Sequence, residues 1–412
     1  MTILIFIFIF ILNMFSTVIY ADDQDEEELD LNDINQIVET STQAVNEPVL
    51  NSKAAIIYDR TTKKVMWGKN IDTKRAMAST TKIMTAVVVL ENCNLTDVVT
   101  VSKKAANTGG SRLKLNTGDK ITVNDLLYGL MLRSGNDAAV ALAEFAGESV
   151  EGFANLMNKK AIELGLEKTH FVTPHGLDNE EHYTTAYELA FITDYALNNP
   201  VFSKIVSTKI YTINVNGVNR TISNTNELLG NLRGVDGVKT GFTGNAMRCL
   251  VTSCTRDGNQ IITVVLGADT KKQRTQDSIK LINYAFSNYE RIDIEEIVKK
   301  EFESWKQINK DRIYINKAVD NKIELELSEI KNKIMPLKKG TQKDIKLEIN
   351  CIYQYEAPVE KGIKVGNVII KCGDEILESV DILTKNELKR KSIIDYMNQF
   401  LENLPTCLDF ST

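Results

Sequence analysis

At 412 residues the chain is too long for one ordinary hydrophobic core, and it reads as two domains plus extensions. Its 43% hydrophobic and 25% charged residues exclude a disordered or wholly membrane-embedded protein. The net charge of −6 is uneven: ten Asp or Glu lie between Asp22 and Glu47 and no Lys or Arg precedes Lys53, so the rest of the chain carries about +4. That mixed balance excludes a dedicated nucleic-acid binder, which shows a basic patch or stripe.

Ile3 to Leu12 is wholly apolar. Residues 1–21 are expected to be a signal peptide, with Ile19 and Ala21 at the −3 and −1 positions of the cleavage site. No basic residue precedes the run, and an uncleaved anchor is the alternative, though a spanning helix needs about 20 apolar residues. Residues 22–52 read as an acidic, flexible leader.

The globular part, 53–290, opens on a hairpin: Ala54 to Tyr58, a turn at Asp59-Arg60-Thr61-Thr62, then Lys64 to Trp67. From Ser79 to Leu90 the residues Ile83, Met84, Ala86, Val87 and Leu90 recur at helical spacing. Thr122-Val123-Asn124-Asp125 resembles a capping box opening a second helix. Gly135-Asn136 interrupts the helical pattern, which resumes from Asp137, and a further helix covers 152–164. Cys249 to Cys254 and Gln260 to Leu266 flank a turn at Arg256-Asp257-Gly258-Asn259, a strand–turn–strand, and 273–286 returns as a helix. The fold class is therefore α/β in the α+β sense: an antiparallel sheet built from both ends of the segment, with a helical insert between. Short alternating runs broken at Gly340, Gly362 and Gly366 mark a smaller β-rich domain over 291–383. In the tail, 384–412, Leu388, Ile393, Ile394, Met397, Phe400, Leu401 and Leu404 are expected on one helical face, an amphipathic anchor for a membrane surface.

Six cysteines, Cys93, Cys249, Cys254, Cys351, Cys372 and Cys407, are too few for a disulfide framework in a chain this size. The three histidines, His170, His175 and His182, have no partners at metal-site spacing, so no metal or other cofactor is expected.

The chemistry is carried by three short motifs. In Ser79-Thr80-Thr81-Lys82 a helix places the hydroxyl and the ammonium on one face, and the helix start favours an oxyanion there. Ser134-Gly135-Asn136 lies where the helical pattern breaks and polar side chains can turn inward. Lys239-Thr240-Gly241 stands before the strand at Cys249, its glycine permitting close backbone approach by a substrate. Each motif alone is weak; all three in this order make coincidence improbable.

The trio is close to the set of penicillin-binding proteins and class A β-lactamases. With Ala76 to Thr85, Asp125 to Ala139, Pro174-His175-Gly176-Leu177-Asp178, His182 to Tyr187 and Gly237 to Thr243, the chain resembles the low-molecular-weight serine D-alanyl-D-alanine carboxypeptidases. The resemblance is strong from Lys53 to Tyr289 and looser through the β-rich domain. It implies a β-lactamase/transpeptidase-like fold and removal of the terminal D-alanine from peptidoglycan stem peptides, with β-lactams as covalent inhibitors. One departure stands near the site: where the family tends to read Ala-Gly, Ala246 is followed by Met247-Arg248.

Roles then follow from charge. Ser79 is the expected nucleophile and Lys82 its base, which requires a neutral amine; burial and a second cation, Lys239, both favour one. Ser134 is expected to relay the proton to the leaving amine, Asn136 to hold the substrate amide, and Lys239 and Thr240 to hold the terminal carboxylate. By resemblance, the backbone N–H groups of Ser79 and Phe242, beside Gly241, form the oxyanion hole. His175 and Asp178 have a blander role open to them, stabilising a turn. A β-lactamase, a catalytically inactive wall-binding protein, or a glutaminase or esterase on the same fold are the alternatives. The expected location is outside the cytoplasmic membrane, peripheral on its outer face.

Overall fold

A computed structural model describes residues 46–320 and 322–403. The expected signal peptide, most of the acidic leader, Leu404 and Cys407 lie outside the described residues. The chain divides into two compact units on either side of Ser287 and Asn288.

The first unit is built on a five-stranded sheet. Its strands are β1 (Ala54–Asp59), β2 (Lys64–Lys69), β3 (Val235–Thr243), β4 (Met247–Arg256) and β5 (Asn259–Ala268), in the order β2-β1-β5-β4-β3, every neighbour antiparallel. The Asp59 carboxylate accepts from Thr61 N and Thr62 N at 2.8 and 2.9 Å, which closes the first hairpin. All six residues of β1 are buried, so Ala-Ala-Ile-Ile-Tyr-Asp reads as a continuous run rather than an alternation. The first hairpin thus joins a sheet completed more than 160 residues later, and the helices lie between.

Three of those helices begin where side-chain oxygens satisfy their free N–H groups, Thr185 serving the one at Ala186–Leu197. Thr122 accepts from Asp125 N to start α2 (Val123–Leu132), and Ser149 from Gly152 N to start α4 (Val150–Glu163). Between them α3 covers Asn136–Gly147. The central helix α1 (Lys82–Asn92) buries eight residues, from Lys82 to Val89, within a core that includes Phe153, Met157 and Ile262. Burying side chains of that size contributes roughly 1.5–3 kcal/mol each. Helix α5 (Ala186–Leu197) shares this core, whereas the buried Ile279 and Ile282 of α6 (Lys271–Asn288) lie outside it.

The second unit is β-rich, as expected, and after a short strand at Tyr289–Asp293 it also carries a 16-residue helix, α7 (Ile294–Asn309). Asp293 caps it, and Ile294, Val298 and Phe302, four apart, enter a core shared with Val368, Ile370 and Val380 of a four-stranded sheet. The tail is corrected. Leu388 bridges to Val359 and is buried, so residues 384–392 belong to this unit, and helix α8 begins only at Ile393 and runs to Asn403. Its Ile393 and Phe400 are 80% and 67% exposed. No helix among the described residues is long and apolar enough to cross a membrane.

Candidate active site

Ser79 lies in a single 3₁₀ turn, Ala78–Thr81, that runs directly into α1. The turn begins under strain: Ala78 has φ +49°, a left-handed conformation that costs a residue with a Cβ roughly 1–2 kcal/mol. Its surroundings hold it there. Thr81 Oγ1 donates to Ala78 O at 2.8 Å and pairs with His182 Nε2 at 2.8 Å. His182 Nδ1 accepts from Val172 N at 3.0 Å, so the ring proton sits on Nε2 and is donated to Thr81. Burial pushes His182 down to about 4 and keeps the ring neutral. Gly176 lies against the same carbonyl: with φ +85°, it leaves no room for a Cβ, which would stand 1.9 Å from Ala78 O.

Lys82, fully buried at the start of α1, brings its ammonium nitrogen to three oxygens. Ser79 Oγ is at 2.9 Å, Asn136 Oδ1 at 2.6 Å and the His175 carbonyl at 3.0 Å. Two of these, the amide and the carbonyl, can only accept. A neutral amine has two N–H groups and one lone pair, so with both carbonyls satisfied its lone pair is left for the Ser79 hydroxyl. The same three oxygens also suit the protonated form, so one geometry holds the nitrogen before and after proton transfer.

Asn136 Nδ2 donates one N–H to Gly109 O at 2.7 Å and its Oδ1 accepts from Lys82, bonds that leave the second Nδ2 hydrogen unused. It orients Lys82 and the segment beside it. That segment, 109–115, is strapped across the start of α3: Asn136 N donates to Ser111 O, and the Asp137 carboxylate accepts from Leu113 N and Leu115 N. Ser134, at φ +59° between α2 and α3, is buried, and its hydroxyl makes no hydrogen bond among the described residues.

The third motif stands before the strand at Cys249, as the sequence suggested, and itself lies within a strand, β3. Lys239, Thr240, Gly241 and Phe242 pair with Val251, Leu250, Cys249 and Arg248. Gly241 packs against the nucleophile turn, where a Cβ would come 3.0 Å from Ser79 N. Lys239 is buried with its Nζ donating to Thr240 O at 3.0 Å, and Thr240 Oγ1 meets Thr225 Oγ1 at 2.9 Å. The Arg248 guanidinium stacks 3.7 Å from the centre of the Phe242 ring. The unusual Met247 has φ +60°, a conformation glycine adopts without cost.

His175 serves the turn and the site together. Its Nδ1 accepts from Leu177 N while its carbonyl receives Lys82, and burial, then the Lys82 charge, push its ring down to about 3. Asp178 accepts from Asn245 N and ties this loop to the β3–β4 turn. Sequence reasoning missed the Thr81–His182 link and the Lys82–Asn136 contact; the signal for the first was Gly176 within Pro-His-Gly-Leu-Asp, a glycine marking a close approach. Among the described residues no group of three His, Cys, Asp or Glu could hold a metal ion.

Comparison with known proteins bears on this geometry. The D-alanyl-D-alanine carboxypeptidase family, peptidase family S11, matches residues 41–270, and the penicillin-binding protein 5 C-terminal domain matches 302–390. The D-alanyl-D-alanine carboxypeptidase DacF of Bacillus subtilis is 35% identical over 84% of this chain and 88% of its own. Among solved structures, the D-alanyl-D-alanine carboxypeptidase DacD of Francisella tularensis superposes with a TM-score of 0.70 at 28% identity, over 84% of this chain and 95% of that one. Penicillin binding protein 5 of Haemophilus influenzae gives 0.66 at 28% identity, over 84% and 100%.

Proposed function

Since the chain belongs to the D-alanyl-D-alanine carboxypeptidase family of serine peptidases, we propose that Ser79 is the residue it acylates and that Lys82 is the base. Lys82 takes the Ser79 proton as Oγ attacks the carbonyl carbon of the penultimate D-alanine. The oxyanion that forms is received by the backbone N–H groups of Ser79 and Phe242. When the C–N bond breaks, Ser134 passes its proton to the departing D-alanine amine and receives the one that Lys82 took from Ser79, and Lys239 with Thr240 holds the leaving carboxylate. Water then attacks the acyl-enzyme as Lys82 takes its proton, the acyl–oxygen bond breaks, and Lys82 returns that proton to Ser79. The observation that carries this reading is the nitrogen of Lys82 held at 2.9 Å from Ser79 Oγ by two oxygens that can only accept. Stem peptides ending in D-Ala-D-Ala are the substrates, and β-lactams acylate the same serine.

The test is release of free D-alanine from a pentapeptide ending in D-Ala-D-Ala. Wild-type protein is expected to release it and Ser79→Ala to release none; equal release by both would overturn the assignment.

The place of work follows from the substrate, which lies outside the cytoplasmic membrane. The apolar run at Ile3–Leu12 supports export. The exposed Ile393, Met397 and Phe400 of α8, preceded by Lys389, Arg390 and Lys391, support a peripheral hold on the membrane surface.

A further inference from the structure

The strap over α3 carries a feature that the proposed chemistry does not use. From Ser111 to Leu115 the side chains alternate: Leu113 and Leu115 are buried, while Arg112 and Lys114 face solvent. The strap is held rigidly, with Asp137 bonding both leucine N–H groups and Leu113 filling the space a Cβ on Gly129 would need. A third cation joins from the hairpin at 210–223, where the Arg220 guanidinium reaches the Lys114 carbonyl at 3.4 Å. Arg112 meets the Ala106 carbonyl at 3.3 Å. Among the described residues none of the three has a carboxylate partner. The acids of the adjoining elements are turned inward: Asp119, Asp125 and Asp137 are buried and accept from Asn116 N, Asn214 N and Leu113 N respectively. One side of the site therefore carries positive charge that its own fold does not neutralise.

Position gives this charge a function. Ser79 stands between two walls: β3, touching it at Gly241, and the Lys82–Asn136 pair, which leads within one hydrogen bond to Ser111. Lys239 and Thr240 on the first wall are assigned to the terminal carboxylate, so the rim on the second wall is left for another part of the substrate. A stem peptide carries such a group: its glutamate, linked through the side chain, leaves an α-carboxylate free upstream of the scissile bond.

We propose that Arg112, Lys114 and Arg220 form a subsite for a free carboxylate on the stem peptide upstream of D-Ala-D-Ala, so that the enzyme distinguishes a free acid there from its amide. This rests on the assignment of Ser79 and β3 given above. The contact is exposed and made by flexible side chains, so three cations together give about a tenfold preference rather than an absolute one. It is also salt-sensitive, because at 0.5 M salt charges are screened within about 4–5 Å.

The test compares two pentapeptides that differ only in whether the glutamate α-carboxyl is free or amidated. The quantity read is the ratio of their kcat/KM values, which a general loss of fold or of acylation leaves unchanged. Wild-type protein is expected to favour the free acid about tenfold at low ionic strength and less than about threefold at 0.5 M salt. The triple variant Arg112→Gln, Lys114→Gln, Arg220→Gln is expected to bring the ratio near one. Equal kcat/KM for the two peptides in wild-type protein, or a ratio kept by the triple variant, overturns the subsite while leaving the peptidase reading intact. D-alanine released from neither peptide overturns the reading on which the subsite rests, and the subsite with it.

Discussion

Two buried histidines set a pH dependence for the fold around the nucleophile. His175 and His182 are pushed down to about 3 and about 4, in both cases chiefly by burial. In the unfolded chain each takes up a proton near pH 6.5. Between that pH and their folded values the unfolded state binds more protons, so their stabilising contribution is complete above about pH 6.5 and is lost as pH falls toward 4. Between pH 6.5 and 5 the loss is about 2 kcal/mol from each ring. Thermal melts across that window are expected to show a falling Tm in wild-type protein and a flatter line in the double variant His175→Asn, His182→Gln. A wild-type Tm that stays level from pH 6.5 to 5 contradicts this account. Ser79, Lys82 and Lys239 were legible in the sequence because each belongs to a short motif whose chemistry is local. The second contact of Lys82 was not, because Asn136 lies 54 residues away and only the packing of α3 beside α1 brings the two together.

At the scale of elements, the meeting of β3 with the nucleophile turn is the tightest constraint. Gly241 has no side chain, and a Cβ there would stand 3.0 Å from Ser79 N and 3.2 Å from Ala78 Cβ. Gly241→Ala is therefore expected to move the turn by a few tenths of an ångström. Misplacement by an ångström costs on the order of 100-fold in rate, and a smaller shift is expected to slow penicillin acylation about tenfold with the Tm within a few degrees of wild type. Acylation at the wild-type rate would mean that strand and turn are not so closely fitted. The hairpin at β1–β2, the strands β4 and β5 and the helices α1 to α4 and α6 could be read from turn residues, apolar runs and helical spacing, whereas α5 was not read. β3 was harder: Val235 to Thr243 holds two glycines, a lysine and two threonines, a composition that hides a strand. Helix α7 was missed although Asp293 and the Ile294–Val298–Phe302 spacing announce it, since charged residues separate the apolar ones. Leu388 was placed on the tail helix by spacing alone, whereas its pairing with Val359 could be seen only in three dimensions.

For the whole molecule, the division of labour is between a catalytic unit and a second unit that carries α8. The proposed hold on the membrane predicts that protein truncated after Ser392, which keeps Leu388 packed, moves from the membrane fraction to the soluble fraction of the cell exterior. Unchanged membrane recovery would remove α8 from that role. The two-unit plan was visible in the change of texture after Arg291, and the order of the three motifs along the chain already implied that distant segments converge on one pocket. The central claim is that Ser79 is acylated with Lys82 as its base, and intact-protein mass spectrometry after exposure to benzylpenicillin tests it most directly. Wild-type protein is expected to gain one penicilloyl mass and Ser79→Ala none. Lys82→Arg keeps the charge but stays protonated, so its adduct is expected to form about 10²–10⁴-fold more slowly. A full-size adduct on Ser79→Ala, or acylation of Lys82→Arg at the wild-type rate, would contradict the account.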